Sequence, residues 1–217
     1  MSNKNKGPHS DFIDKLVKDH KPVKPLWSPE KRSLLILSLY PVAIALIMLA
    51  IQPFRDGCID DLLHTFFSLE MLLGAISVSS FTYFSLSSVI PGSGPKNKYL
   101  WLSLGSLSIL VLLLVKGIYV PHKQASMLGK RPTCYYEILT LGILPFTHLV
   151  YLCKKGVIFF KARMLFAAAL ASALIPALLM HMACMYDPLH VLEHHLVPVL
   201  FFTLGAGIIS YLLIKKS

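Results

Sequence analysis

The chain has 217 residues, of which 55% are hydrophobic and only 15% charged, and its mean hydropathy is +0.63. A soluble domain of this length cannot bury so much apolar surface, so the composition excludes an ordinary soluble fold and points to an integral membrane protein. The net charge of +10 would suggest a nucleic-acid partner in a soluble protein, but here the position of the lysines and arginines matters more than their sum.

The first thirty residues read as a retained cytoplasmic segment, because their charges are not followed by a short apolar core and a small-residue cleavage site. Within "SDFIDKLVKDHKPVKPLWSP", Ser10 can cap a short helix, and Asp11 and Asp14 suit its positive N-terminal end. Phe12, Ile13, Leu16 and Val17 share one face at helical spacing, and Pro22 ends the helix ahead of an extended "KPVKPLWSP". A helix of roughly ten residues is marginal alone in water and needs a surface to cover its apolar face. That surface is either the inner leaflet, with the lysines near anionic lipid, or a soluble protein anchored by Phe12, Ile13, Leu16, Val17 and Leu26. Trp27 fits an interfacial belt.

Six apolar runs follow, and a hydrocarbon layer about 30 Å thick needs about 20 such residues per helix. They are roughly Ser33–Ile51, Leu62–Val89, Tyr99–Tyr119, Cys134–Leu152, Ala162–Ala183 and Leu192–Ile214. The reading is an all-α polytopic membrane protein: a segment over 1–30 and a six-helix transmembrane domain over 31–217. Pro41, Pro145, Pro176 and Pro198 fall inside runs, where bundle packing tolerates kinks. An even number of crossings places both termini on one side. That side carries sixteen lysines and arginines and the opposite loops five, so both termini are expected in the cytoplasm of a bacterial inner-membrane protein.

The motif order "FIDKLVKDHKPVKPLWSPEKR", Glu70 in the second span, "VIPG" at Val89–Gly92, Cys134 opening the fourth span, "GILP" at Gly142–Pro145 and "HMACMYDPLHVLEHHLVPV" from His181 resembles the NrsF family of membrane anti-sigma factors. The resemblance covers nearly the whole chain. It implies an inhibitor that holds an extracytoplasmic-function (ECF) sigma factor at the membrane until envelope stress arrives. It implies that Ile13-Asp14-x-Leu16 and the Pro22-Val23-x-Pro25-Leu26 stretch belong to the sigma-binding segment, and that Cys134 and Cys184 respond to metal or oxidative stress. Cys58 and Cys153 lie outside the family pattern, and Glu193-His194-His195 offers two histidines where that pattern has one.

Spacing adds to this. His181 and Cys184 are three apart at the outer end of the fifth span, Cys134 and Glu137 three apart at the start of the fourth, and His190 and His194 four apart at the entry to the sixth. The fourth and fifth spans form a hairpin, so these ends are expected to be neighbours. A metal site using Cys134, Cys184, His181 and His194 for zinc, cadmium or another soft cation is one reading, and a reversible disulfide between the two cysteines is the other. No cofactor is required. His190 reads as an interfacial polar group, Cys58 as an exposed loop thiol and Cys153 as packing at the inner boundary. Glu70, a carboxylate inside a span, is expected to face the bundle interior, where it can pair with His181, accept a proton or simply bond another helix. His148 reads as a packing histidine.

HExxH, GxSxG, Walker and CxxC sequences do not occur, so no enzyme is expected. The rival function is a small transporter or metal-ion permease whose polar path uses Glu70, Glu137 and histidines such as His148.

Overall fold

The computed structural model describes residues 26–90, 97–120, 129–156 and 161–215. Most of the segment expected to bind a partner, including Phe12, Ile13, Asp14, Leu16, Val17, Pro22, Val23 and Pro25, lies outside the described residues; Leu26 lies inside them and is exposed.

Helix α1 spans Pro29–Ile51. Ser28 caps it by accepting from the Lys31 amide at 3.5 Å, and Pro29 supplies a first-turn φ that suits a helix start. It stops at Gln52, which is extended (φ −157°) because Pro53 follows. A short helix α2, Cys58–Asp61, leads into α3, Thr65–Ser87, and then α4, Asn97–Tyr119. The fourth crossing is broken into α5, Cys134–Leu141, and α6, Ile143–Lys154. Pro145 has no N–H to give to the Leu141 carbonyl, which accounts for the break at Gly142. Helix α7 is Lys161–Ala183 and α8 is Pro188–Val191; a π-turn over Leu192–Leu196 then passes into α9, Val197–Lys215.

Six helical stretches are long and apolar enough to cross a membrane, and among the described residues there is no β-strand. The six match the expected runs with three refinements. The second begins at Thr65 rather than Leu62, the fourth is broken, and the sixth starts from α8 and the π-turn. Successive crossings run antiparallel, so one rim of the bundle holds the ends Ile51, Thr65, Tyr119, Cys134, Ala183 and Pro188.

Helix α7 is the central post and packs against α1, α3, α5, α6 and α9. Its small residues, Ala167 to Ala169, Ala171, Ser172, Ala173 and Ala177, are all buried and let neighbouring backbones come close. Gly74 does the same on α3: a Cβ there would collide with the Leu178 side chain of α7. Ser77 of α3 donates to the Ser103 carbonyl of α4 at 2.9 Å, a bond that replaces hydrophobic drive between helices in lipid. The outward faces, with Leu34, Val42 and Leu46 on α1, Trp101 and Leu112 on α4 and Phe201 on α9, are apolar and exposed, as contact with lipid requires.

The rim is closed by charge. Arg131 is 1% exposed, and its guanidinium donates to Glu137 Oε2 at 3.0 Å, to the carbonyls of Met48 (3.3 Å) and Pro53 (3.2 Å), and to that of Gln52. A cation thereby sits at the negative end of α1, sharing the Met48 carbonyl with the Gln52 amide and meeting the Gln52 and Pro53 carbonyls just past the helix. Glu137 also accepts from Thr133 Oγ1 at 2.7 Å. Just before Arg131, Gly129 adopts φ +75° with the Arg55 Cα and the Ala183 carbonyl 3.2 and 3.3 Å from where a Cβ would sit, so the turn needs glycine for its torsion and for space.

Removing Arg131 would strand both the Glu137 carboxylate and the end of α1. The change Arg131→Met is expected to cost about 3–5 kcal/mol, read as a fall in the thermal unfolding temperature of detergent-purified protein. Arg131→Lys should recover only part of it, because one ammonium cannot span the carboxylate and three carbonyls. A Met variant as stable as the parent would contradict this account of the rim.

Candidate functional site

Three segments meet beneath Arg131. Cys134 is the first residue of α5, Cys184 follows the end of α7, and His190 and His195 come from α8 and the π-turn. One ligating atom from each of Cys134, Cys184, His190 and His195 lies within 4.8 Å of the others. His190 Nε2 is 3.6 Å from the Cys134 sulfur and 3.4 Å from that of Cys184, so a single imidazole edge addresses both thiols. Both cysteines are buried and free, His190 is half-buried, and His195 is 1% exposed.

Local chain chemistry explains these positions. Asp187 caps α8 by accepting from the His190 amide at 3.2 Å, and Pro188 occupies the first turn, so the Cys184–His190 loop closes tightly. The Asp187 carboxylate is thus used as a helix cap. Pro198 cannot donate to the His194 carbonyl, and the helix widens just ahead of it, with the Val197 amide bonding back to Leu192. Widening rotates His195 inward and leaves His194 exposed, its ring stacked on His190 at 4.5 Å. Neither ring nitrogen of His195 has a hydrogen-bond partner of good geometry.

Cys184 is held below the ordinary thiol range. The hydrogen bond from the Cys134 thiol is the main cause, and it outweighs the cost of burial with help from the His190 and His195 imidazoles and the Arg131 backbone amide. A thiol held in this way gives up its proton more readily, and the thiolate is the form that binds metal and reacts with oxidants.

A second polar group lies next to it. Glu70, 0% exposed in α3, accepts from Tyr186 Oη at 3.2 Å and lies 3.0 Å from His181 Nε2. The Phe67 ring stacks on His181 at 4.9 Å, and the Arg55 guanidinium sits 5.4 Å from the centre of that ring while pairing with Asp61. Burial, reinforced by the Glu70 charge, pushes the Tyr186 hydroxyl up from the usual phenol range, so it remains a donor. His181 and His195 both line an apolar cavity of about 20 Å³, which is room for one water.

The sequence-based site is therefore redistributed. Cys134 and Cys184 meet as expected. His181 does not join them but pairs with Glu70, one of the roles anticipated for that carboxylate. The inward imidazoles are His195 and His190, not His194. Glu137 is engaged by Arg131. His148 Nδ1 is 2.9 Å from Tyr40 Oη, so the three groups named for a transport path each have a different partner. Cys153 is buried, with its thiol donating to the Ser85 carbonyl at 3.7 Å near the opposite rim, whereas Cys58 is half-buried rather than fully exposed.

Truncating Glu70 would leave the His181 and Tyr186 polar atoms facing an apolar cavity. Glu70→Ala should cost about 1–3 kcal/mol for each orphaned group, and Glu70→Gln much less, because the amide still accepts from Tyr186. Differential scanning of the two variants in detergent checks this; equal stability of both would refute it.

Neither a curated protein nor a solved structure matches the chain significantly. A family model described as "NrsF: Negative regulator of sigma F" matches residues 16–215, nearly the full length and including every residue of both polar groups. With that match and its six apolar crossings, the chain belongs to the NrsF family of negative regulators of sigma factors.

Proposed function

We propose that this protein is an inner-membrane anti-sigma factor that sequesters an ECF sigma factor on the cytoplasmic face and releases it when Cys134 and Cys184 meet a metal ion or oxidant outside the cytoplasm. The observation that carries the reading is the convergence of the two thiols from different crossings at the rim opposite the start of α1. The sixteen-to-five bias of basic residues supports an outward-facing cysteine rim. In this reading the N-terminal segment buries Phe12, Ile13, Leu16 and Val17 against the sigma factor, and the Pro22–Leu26 stretch spaces that helix from the bilayer.

The two ends are joined by a short route. Cys134 is three residues from Arg131, whose guanidinium holds the Met48 carbonyl in the last turn of α1 and that of Pro53 just past it, and α1 begins at Pro29, where the tail ends. A bond formed at the sulfur pair displaces the start of α5, and α1 carries the displacement across the membrane as a rigid element.

Three experiments bear on this. In cells, a sigma-dependent reporter should be induced by cadmium, chromate or peroxide in the parent strain and stay uninduced when Cys134→Ser and Cys184→Ser are combined; unchanged induction would remove the sensor role. In pull-downs from detergent extracts, Phe12→Asp with Leu16→Asp should abolish retention of the sigma factor. Full retention would overturn the tail assignment. On sealed right-side-out spheroplasts, protease that clips the N-terminal segment would reverse the proposed sidedness.

A further inference from the structure

The four donors at the rim carry a more specific assignment than a pair of reactive cysteines. Zinc binds thiolate at about 2.3 Å and imidazole at about 2.0–2.1 Å, and a tetrahedron with those bonds sets sulfur and nitrogen about 3.6 Å apart. His190 Nε2 stands 3.6 and 3.4 Å from the two sulfurs, with a His195 nitrogen within the same 4.8 Å cluster. The two His190–sulfur spacings that an ion would impose are already present, and the remaining donor pairs lie within 4.8 Å. The second observation is independent: His195 is 1% exposed, yet neither of its ring nitrogens makes a hydrogen bond of good geometry, its polar neighbour being the Cys184 sulfur, and a buried imidazole so poorly met is costly. A cation held between this ring and the thiolates removes that cost.

We propose that Cys134, Cys184, His190 and His195 form a closed tetrahedral site for a divalent d10 cation, occupied by zinc at rest and open to cadmium. This deepens the sensor reading by naming its ligand. The donor set selects the ion class, since two thiolates and two imidazoles with no carboxylate disfavour magnesium and calcium. Charge agrees as well: two thiolates, two neutral imidazoles and a divalent ion sum to zero, the state that survives burial beside hydrocarbon. With four protein donors there is no open position for substrate, which marks a structural or sensing site rather than a catalytic one. An open cleft of about 290 Å³, lined in part by Met185, Asp187, His190 and His194, gives an ion a way in at the half-buried His190.

The test uses the full-length protein purified in detergent under reducing, chelator-free conditions. Elemental analysis should find zinc at one ion per chain, and titration with cadmium should displace it while a thiolate-to-cadmium charge-transfer absorption develops. His195→Gln and Cys184→Ser should each weaken binding by at least the 10–100-fold that changes around a metal site cost, while His194→Ala leaves it unchanged. Should the variants fail to fold, the wild type still decides: zinc should protect Cys134 and Cys184, but not Cys58, from alkylation, as read by peptide mass spectrometry, and chelation should remove the protection. Wild type that takes up neither metal, or an affinity untouched by His195→Gln, overturns the site. The sensor reading fails separately: zinc could be bound and protective while the double serine strain still responds to stress.

Discussion

A guanidinium at the edge of a hydrocarbon layer costs several kcal/mol unless its charge and N–H groups are met within the protein. Arg131 has its charge and both terminal nitrogens met by one carboxylate and three carbonyls, contributed by α5 and by the end of α1 with the two residues after it. Satisfying one side chain therefore fixes where two crossings finish. The same residue places its backbone against the Cys184 sulfur, and Cys134 starts the helix three residues later. Gly129 lets the chain approach closely enough for this, lying against both Arg55 and the final carbonyl of α7. The sulfur pair is thus positioned by an electrostatic requirement that has nothing to do with sulfur chemistry.

A second constraint comes from the core. Helices in lipid gain little from burying apolar surface against each other, so they rely on close packing and on polar bonds between helices. The alanine-rich α7 supplies the packing, and Glu70, bonded to His181 and Tyr186, supplies the polar bonds between α3 and the end of α7. Tyr186 lies two residues past Cys184, and the His181 ring lies 6.4 Å from that of His195. The loop that carries Cys184 is thereby pinned on both sides, by Glu70 through Tyr186 and by Asp187 through the His190 amide. Strain introduced at the sulfurs cannot be absorbed by this loop alone.

Much of the architecture was legible because hydrophobic length and proline position speak directly for membrane helices. The six crossings and the meeting of Cys134 with Cys184 follow from spacing on regular helices, and the inward-facing Glu70 from its place inside a span, with His181 as one of the partners open to it. The histidines did not. A regular helix puts His190 and His194 on one face, four apart, and this selected His194. The π-turn ahead of Pro198 adds a residue to the turn and brings in His195 instead; the proline was visible in the sequence, but the side on which the helix would widen was not. The role of Arg131 was hidden too. A basic residue in a loop reads as a solvated charge until the fold shows the end of α1, some eighty residues earlier in the chain, lying against it.

That distance along the chain bears on how a signal could cross the membrane. A ligand shifts an equilibrium only by as much as its affinity differs between two arrangements. Under the proposed reading, a bond at the rim joins the start of α5 to the loop after α7, and a four-donor ion adds the π-turn before α9 as a third segment. Each added donor from a separate helix end makes the affinity depend more steeply on how those ends are arranged, and so enlarges the coupling available. A disulfide links two of the segments, whereas an ion held by all four donors links three. Exchange between these states alters the number of helix ends tied together as well as the distance between two sulfurs. Because Arg131 ties α5 to the last turn of α1, the helix that leads directly to the N-terminal segment lies within reach of that change.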